Sequence, residues 1–135
     1  MIRNPERELG WFPVCLTQQG RIHRFFRDFP GTFTALLWHG DTFSIPHKCI
    51  HAAENEGCIN QAFACEDAIV GLQFHLEITR DYLQRQGLFS SEDLAPGKFV
   101  QRPEQMNDPA VLAANSRSSS RLLAGLCDRL SGFYP

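Results

Sequence analysis

His75 and Glu77 stand two residues apart in the word GLQFHLE. If residues 70 to 77 run as a strand, side chains two apart point to one face. A carboxylate at 77 could then hold one ring nitrogen of the imidazole and leave the other for a nucleophile or a substrate. This is the base-and-orienter half of a hydrolytic triad, in which the carboxylate fixes the tautomer and stabilises the imidazolium formed when a nucleophile gives up its proton. The spacing alone is weak evidence, because His-x-Glu also arises by chance. It equally describes a hydrogen-bonded histidine at a strand end followed by a first-turn acid that the helix dipole favours.

A second polar word, HGDTF, carries His39, Gly40 and Asp41 directly after the apolar run TFTALLW. It reads as a glycine-centred turn at a strand end, where site groups gather in open α/β sheets. The plainer reading has Asp41 bonding its own backbone and His39 packing on Trp38 or Phe43.

The elements that must position these groups follow from pattern. Residues 8 to 17, ELGWFPVCLT, read as an edge strand or an extended segment because Pro13 cannot donate to a central ladder. Residues 32 to 38 read as a buried strand, and further short strands fall at Cys49 to Ala53, Asn60 to Cys65 and Ala68 to Phe74. The last is apolar on both faces, as a central strand under helices would be. The stretch RIHRFF, residues 21 to 26, is too short to assign. Helix is predicted from Ile78 to Gln86, ended by Gly87, with an N-cap pattern at Ser90 to Asp93. A long helix is predicted from about Pro109 to Leu130, its polar middle NSRSSSR facing solvent or containing a break. Trp11, Phe12, Phe63 and Phe74 read as core. Strands followed by helices indicate α/β or α+β.

The 135 residues, 43% of them hydrophobic and 11% aromatic, suit one globular domain with a real core. A net charge of −2, with arginines interleaved among acids, offers no basic stripe for nucleic acid or an anionic membrane. No apolar run approaches the roughly 20 residues of a membrane span, and the start MIRNPERELG has no signal-peptide core. A soluble, cytoplasmic protein is expected. Five cysteines, an odd number without CxxC spacing, read as buried free thiols of a reducing compartment. His23, His39, His47 and His51 show no zinc-type spacing, so no metal and no cofactor are expected.

The words ELGWFPV, WHGDTFSIP, CINQAF and GLQFHLEIT occur in this order, with GKFVQRPEQM and AANSRSSSRLL after them. Together they closely resemble class I glutamine amidotransferases over essentially the whole chain. The resemblance implies a flavodoxin-like, three-layer α/β sandwich with a mixed sheet and C-terminal helices. It also implies a Cys-His-Glu triad, in which a thiolate attacks the glutamine amide and the glutamyl thioester is hydrolysed, releasing ammonia to an acceptor. It places the catalytic histidine and glutamate on His75 and Glu77, and the bound glutamine beside backbone groups of Gly40 and Asp41. In PHKCIHAAEN the chain departs from the family, which more often has glycine and alanine after the proline.

The family's nucleophile sits on a glycine-flanked strand-to-helix turn of the G-x-C-x-G kind, and Cys15, Cys49, Cys58, Cys65 and Cys127 all lack that setting. In a full-length member that segment would precede ELGWFPV. The expectation is therefore a single domain over 1–135, truncated at its N-terminal side and inactive alone, with uncovered sheet edges that favour a homo-oligomer, the missing half or a synthetase as partner. The alternative is a non-catalytic binding module on the same fold. A third reading has His75 and Glu77 acting with a metal or an activated water.

Overall fold

A computed structural model describes residues 1–66, 69–85 and 92–132. In chain order the elements are β1 (Ile2–Leu16), α1 (Gln18–Ile22), β2 (Thr32–Thr42), β3 (Cys49–Glu54), β4 (Ala62–Cys65), β5 (Ile69–Leu72), α2 (Arg80–Arg85), β6 (Phe99–Val100), α3 (Pro103–Met106) and α4 (Pro109–Ser131). The sheet runs β2-β1-β3-β4-β5, with β6 beside β1. Among the described residues only the β1–β6 pair is parallel, so the sheet is mixed. Beyond β5 the chain returns to β2, where His75 forms an isolated antiparallel bridge with Leu36 and curls the sheet toward closure.

The β1–β2 ribbon is the spine, and its sequence explains its place. Val14, Leu16, Phe33, Ala35 and Leu37 face a core with Phe25, Phe26, Phe29 and Phe74. Leu9, Trp11 and Leu36, one residue out of phase, face a second core with Ile78, Leu83, Met106 and Leu112. A period of two with both phases apolar makes a strand covered on both sides. Helix α4 serves both layers, giving Leu112 to one and Leu126 to the other. Each such side chain stabilises the fold by about 1.5–3 kcal/mol on full burial. The result is the layered α/β arrangement with a mixed sheet and C-terminal helices that the sequence implies.

Several local expectations change. The strand containing Pro13 lies inside the sheet, not at its edge. The main chain of Trp11 turns away from β2, because its N–H and C=O are both engaged by the Gln101 amide. Pro13, two residues on, aims its nitrogen the same way, into the gap between the β6 pairing at Glu8–Leu9 and the β3 pairing at Cys15–Leu16. No ladder bond is lost there. The expected central strand is β5, which pairs with β4 alone; its apolar character reflects packing of Val70 and Leu72 on the core.

Helix α4 is continuous through NSRSSSR: Ser118 and Ser120 face out, while Ser119 is buried. Its start is set by Asp108, which accepts from the N–H groups of Ala110 and Val111 at 2.9 and 3.1 Å, and by Pro109 at the first helical position. Gln86 and Gly87, the predicted end of α2, and the N-cap pair Ser90-Ser91 lie outside the described residues. The five cysteines are not all free: Cys49 and Cys65, cross-strand partners on β3 and β4, form a disulfide. Cys15, Cys58 and Cys127 remain thiols.

Candidate active site

The segment from Gln73 to Glu77 is not a ladder strand, yet it alternates as one. Phe74 and Leu76 are buried at 3% and 2% exposure, and His75 and Glu77 between and beyond them turn outward. Two hydrogen bonds pin this segment against β2. The His75 N–H donates to the Leu36 carbonyl at 2.8 Å, and the Gln73 Nε2 donates to the Asp41 carbonyl at 2.8 Å. The anchor at His75 itself is a backbone bond, and the apolar neighbours set which way the ring faces.

On the outward face, His75 Nδ1 lies 2.6 Å from Glu77 Oε1. Burial by itself pushes the Glu77 carboxyl up, but its own backbone N–H, the His75 ring and the Leu76 N–H outweigh that effect. The carboxyl therefore titrates below its ordinary range and is ionised at neutral pH. A carboxylate on Nδ1 holds that nitrogen as the N–H donor and leaves Nε2 as the basic one.

Gly40 and Asp41 do not form a turn. They belong to the last residues of β2, with Asp41 opposite Arg3, and both are exposed. The Leu36 and Asp41 carbonyls of β2 both meet the 73–77 segment, the first through the His75 N–H and the second through the Gln73 amide. A Cβ at Gly40 would meet only Arg7, no closer than 3.8 Å. Residues 36 to 41 and 73 to 77 therefore share one edge of the sheet.

His39 behaves differently from expectation. Its Nε2 lies 3.0 Å from the Oε2 of Glu8, its cross-strand neighbour. The fully buried Glu8 also accepts from Asn55 Nδ2 at 2.6 Å and Gln61 Nε2 at 2.7 Å. Nothing in the sequence singles out Glu8, which closes the charged run PERE just before the apolar LGWF. Among the described residues no cysteine sulfur is hydrogen-bonded to the His75 ring.

The glutamine amidotransferase-like protein YfeJ of Salmonella typhimurium is 30% identical over 107 residues, 77% of this chain and 45% of its own length. A glutamine amidotransferase structure from Thermotoga maritima superposes with a TM-score of 0.78 at 28% identity, over 96% of this chain and 53% of that one. The chain is glutamine amidotransferase-like. The structure of SMU.1228c shares the same fold, with a TM-score of 0.83 at 24% identity over 96% of this chain and 55% of its own. No protein-family model matches this glutamine amidotransferase-like chain. It spans about half the length of the relatives it matches. No helix among the described residues is long and apolar enough to cross a membrane.

Proposed function

We propose that this chain supplies the acid–base half of a class I glutaminase site, with His75 as general base and acid and Glu77 as its orienter. The observation that carries the reading is the 2.6 Å contact between His75 Nδ1 and Glu77 Oε1 on an exposed sheet edge. In the reaction, Nε2 takes the proton of a cysteine thiol as sulfur attacks the glutamine side-chain carbon, and returns it to the departing nitrogen. Ammonia leaves, a glutamyl thioester remains, and water activated by the same Nε2 releases glutamate and the thiol. Glu77 keeps the ring in one tautomer and stabilises its protonated form.

Gly40 and Asp41 contribute by backbone. Supporting this, Gly40 and Asp41 lie exposed at the end of β2 that the Gln73–Glu77 segment bonds to, so their main chain can meet the polar atoms of a bound glutamine. The nucleophile is proposed to come from a segment outside these 135 residues. The three free thiols have other surroundings: Cys15 contacts Thr32, Cys58 contacts Thr42, and Cys127 lies exposed on α4. The ammonia acceptor is likewise proposed to be a separate synthetase-type domain or subunit.

The test is glutamate release from glutamine. The purified chain should give none above buffer. Joined to the half of the Thermotoga relative that it does not match, it should turn over, and His75→Ala should abolish that turnover. Hydrolysis by the chain alone, lost on substitution of Cys15, Cys58 or Cys127, would overturn the proposal.

A further inference from the structure

The buried cluster around Glu8 holds a chemistry that the His75–Glu77 pair does not use. Glu8 on β1, His39 on β2 and Cys58 in the turn after β3 bring a carboxylate oxygen, an imidazole nitrogen and a sulfur to within 4.8 Å of one another. None of the three side chains is more than 6% exposed.

The hydrogen bonds in the cluster set up a contradiction. His39 Nδ1 lies 3.2 Å from the Asp41 carbonyl, which can only accept, so Nδ1 carries the proton. In the neutral ring that leaves a lone pair on Nε2, which faces the Glu8 carboxylate at 3.0 Å. Nε2 is buried and has no aligned hydrogen-bond partner. Two acceptors at that distance repel unless positive charge sits between or beside them. A proton or a metal ion could supply that charge, and Cys58 beside the pair adds the third donor that a metal uses.

We propose that Glu8, His39 and Cys58 bind one transition-metal dication of the zinc type. A carboxylate and a thiolate cancel its charge, and a thiolate with an imidazole selects a borderline-soft ion over magnesium or calcium. The surrounding bonds are those that hold metal ligands in place. A backbone carbonyl fixes the His39 tautomer, and the amides of Asn55 and Gln61 hold the two oxygens of Glu8. In a tetrahedral shell the donors stand roughly 3.3–3.7 Å apart, so the His39–Glu8 pair, now at 3.0 Å, opens slightly while the others, all within 4.8 Å, need at most a small approach. A cavity of about 240 Å³, lined among others by Arg7, Glu8, His39 and Gly40, adjoins two of the three ligands and has room for a fourth, non-protein one.

Binding ties β1, β2 and the 55–61 turn together, and it displaces a proton. Thiol ligands bind metal as thiolate, so binding releases a proton and affinity rises with pH.

The full chain is tested with Zn²⁺ and Co²⁺. Equilibrium dialysis should give one Zn²⁺ per chain. The Co²⁺ adduct should show a thiolate-to-metal absorption band that survives in a Cys15→Ser, Cys127→Ser double variant and disappears in Cys58→Ser. X-ray absorption of the zinc adduct of that double variant leaves the core untouched, and should show one sulfur among nitrogen and oxygen neighbours. No stoichiometric binding, or a metal shell without sulfur in the double variant, overturns the proposal. So does a thiolate band that persists in folded Cys58→Ser.

Discussion

His75 and Leu36 are joined by one backbone hydrogen bond, 2.8 Å from the His75 N–H to the Leu36 carbonyl, and this bridge brings the candidate base to the edge of β2. The ring is thereby placed by main-chain atoms that no side-chain substitution removes. Substitutions at 75 and 77 should accordingly report on chemistry more than on folding.

Glu77→Gln, made in the protein joined to a nucleophile-bearing segment, keeps the shape and loses the charge that fixes the tautomer. It should lower kcat by on the order of 10²–10⁴ with little change in KM. Steady-state kinetics check it, and a fall carried mainly by KM would show that Glu77 serves binding.

The Glu77 carboxyl should titrate below its ordinary range by NMR, and should move back up in His75→Ala. A depressed folded value stabilises the native state at neutral pH, and that stability disappears as pH falls through the folded pKa. The side chain is 57% exposed, so solvent screens the effect on stability, which should stay small.

Two glycines should separate packing from ligand approach. At Gly20 an added Cβ would lie 2.0 Å from the Ala52 carbonyl oxygen, which already accepts the Thr17 N–H. Gly20→Ala should cost about 1–3 kcal/mol or more, read by denaturant unfolding. At Gly40 the nearest atom is 3.8 Å away, so Gly40→Ala should leave stability within about 0.5 kcal/mol. In the joined protein the same change should raise KM for glutamine.

Glu8→Ala would strand the Asn55 and Gln61 amides without their shared carboxylate. A loss of roughly 2–4 kcal/mol is expected from groups left buried and unpaired. Thermal unfolding at neutral pH measures it, and a loss under 1 kcal/mol would mean that water replaces the carboxylate.

Reduction of the Cys49–Cys65 disulfide opens a loop of 16 residues' separation. The chain-entropy account gives about 3 kcal/mol for a loop of that size, so Tm should fall on adding a reductant. A Cys49→Ala, Cys65→Ala variant should be insensitive to reductant.

Legibility differed by element. Strand β2 and helix α4 could be read because their periodicities are long and strong, and His75–Glu77 because two-residue spacing survives even where no regular ladder does. Pro13 misled because a proline in an internal strand is tolerated where two neighbouring strands leave a gap, and that gap is tertiary. The HGD word misled because glycine and aspartate favour turns, while the β1 partner of β2 continues to Ile2 and keeps residues 39 to 42 extended. The disulfide could not be read, since it depends on the register that puts Cys49 opposite Cys65. The Glu8 cluster could not be assembled either, because its members lie up to 53 positions apart.

The disulfide and the buried carboxylate are linked by topology. Asn55, Cys58 and Gln61 all lie within the covalent loop that Cys49 and Cys65 close. The groups that solvate Glu8 in place of water therefore travel as one ring, tethered at both ends to adjacent strands. Cutting the tether gives the ring freedom to swing away from Glu8, so the thiol–disulfide state of two residues at the strand ends governs how dry a carboxylate in the middle of the fold remains.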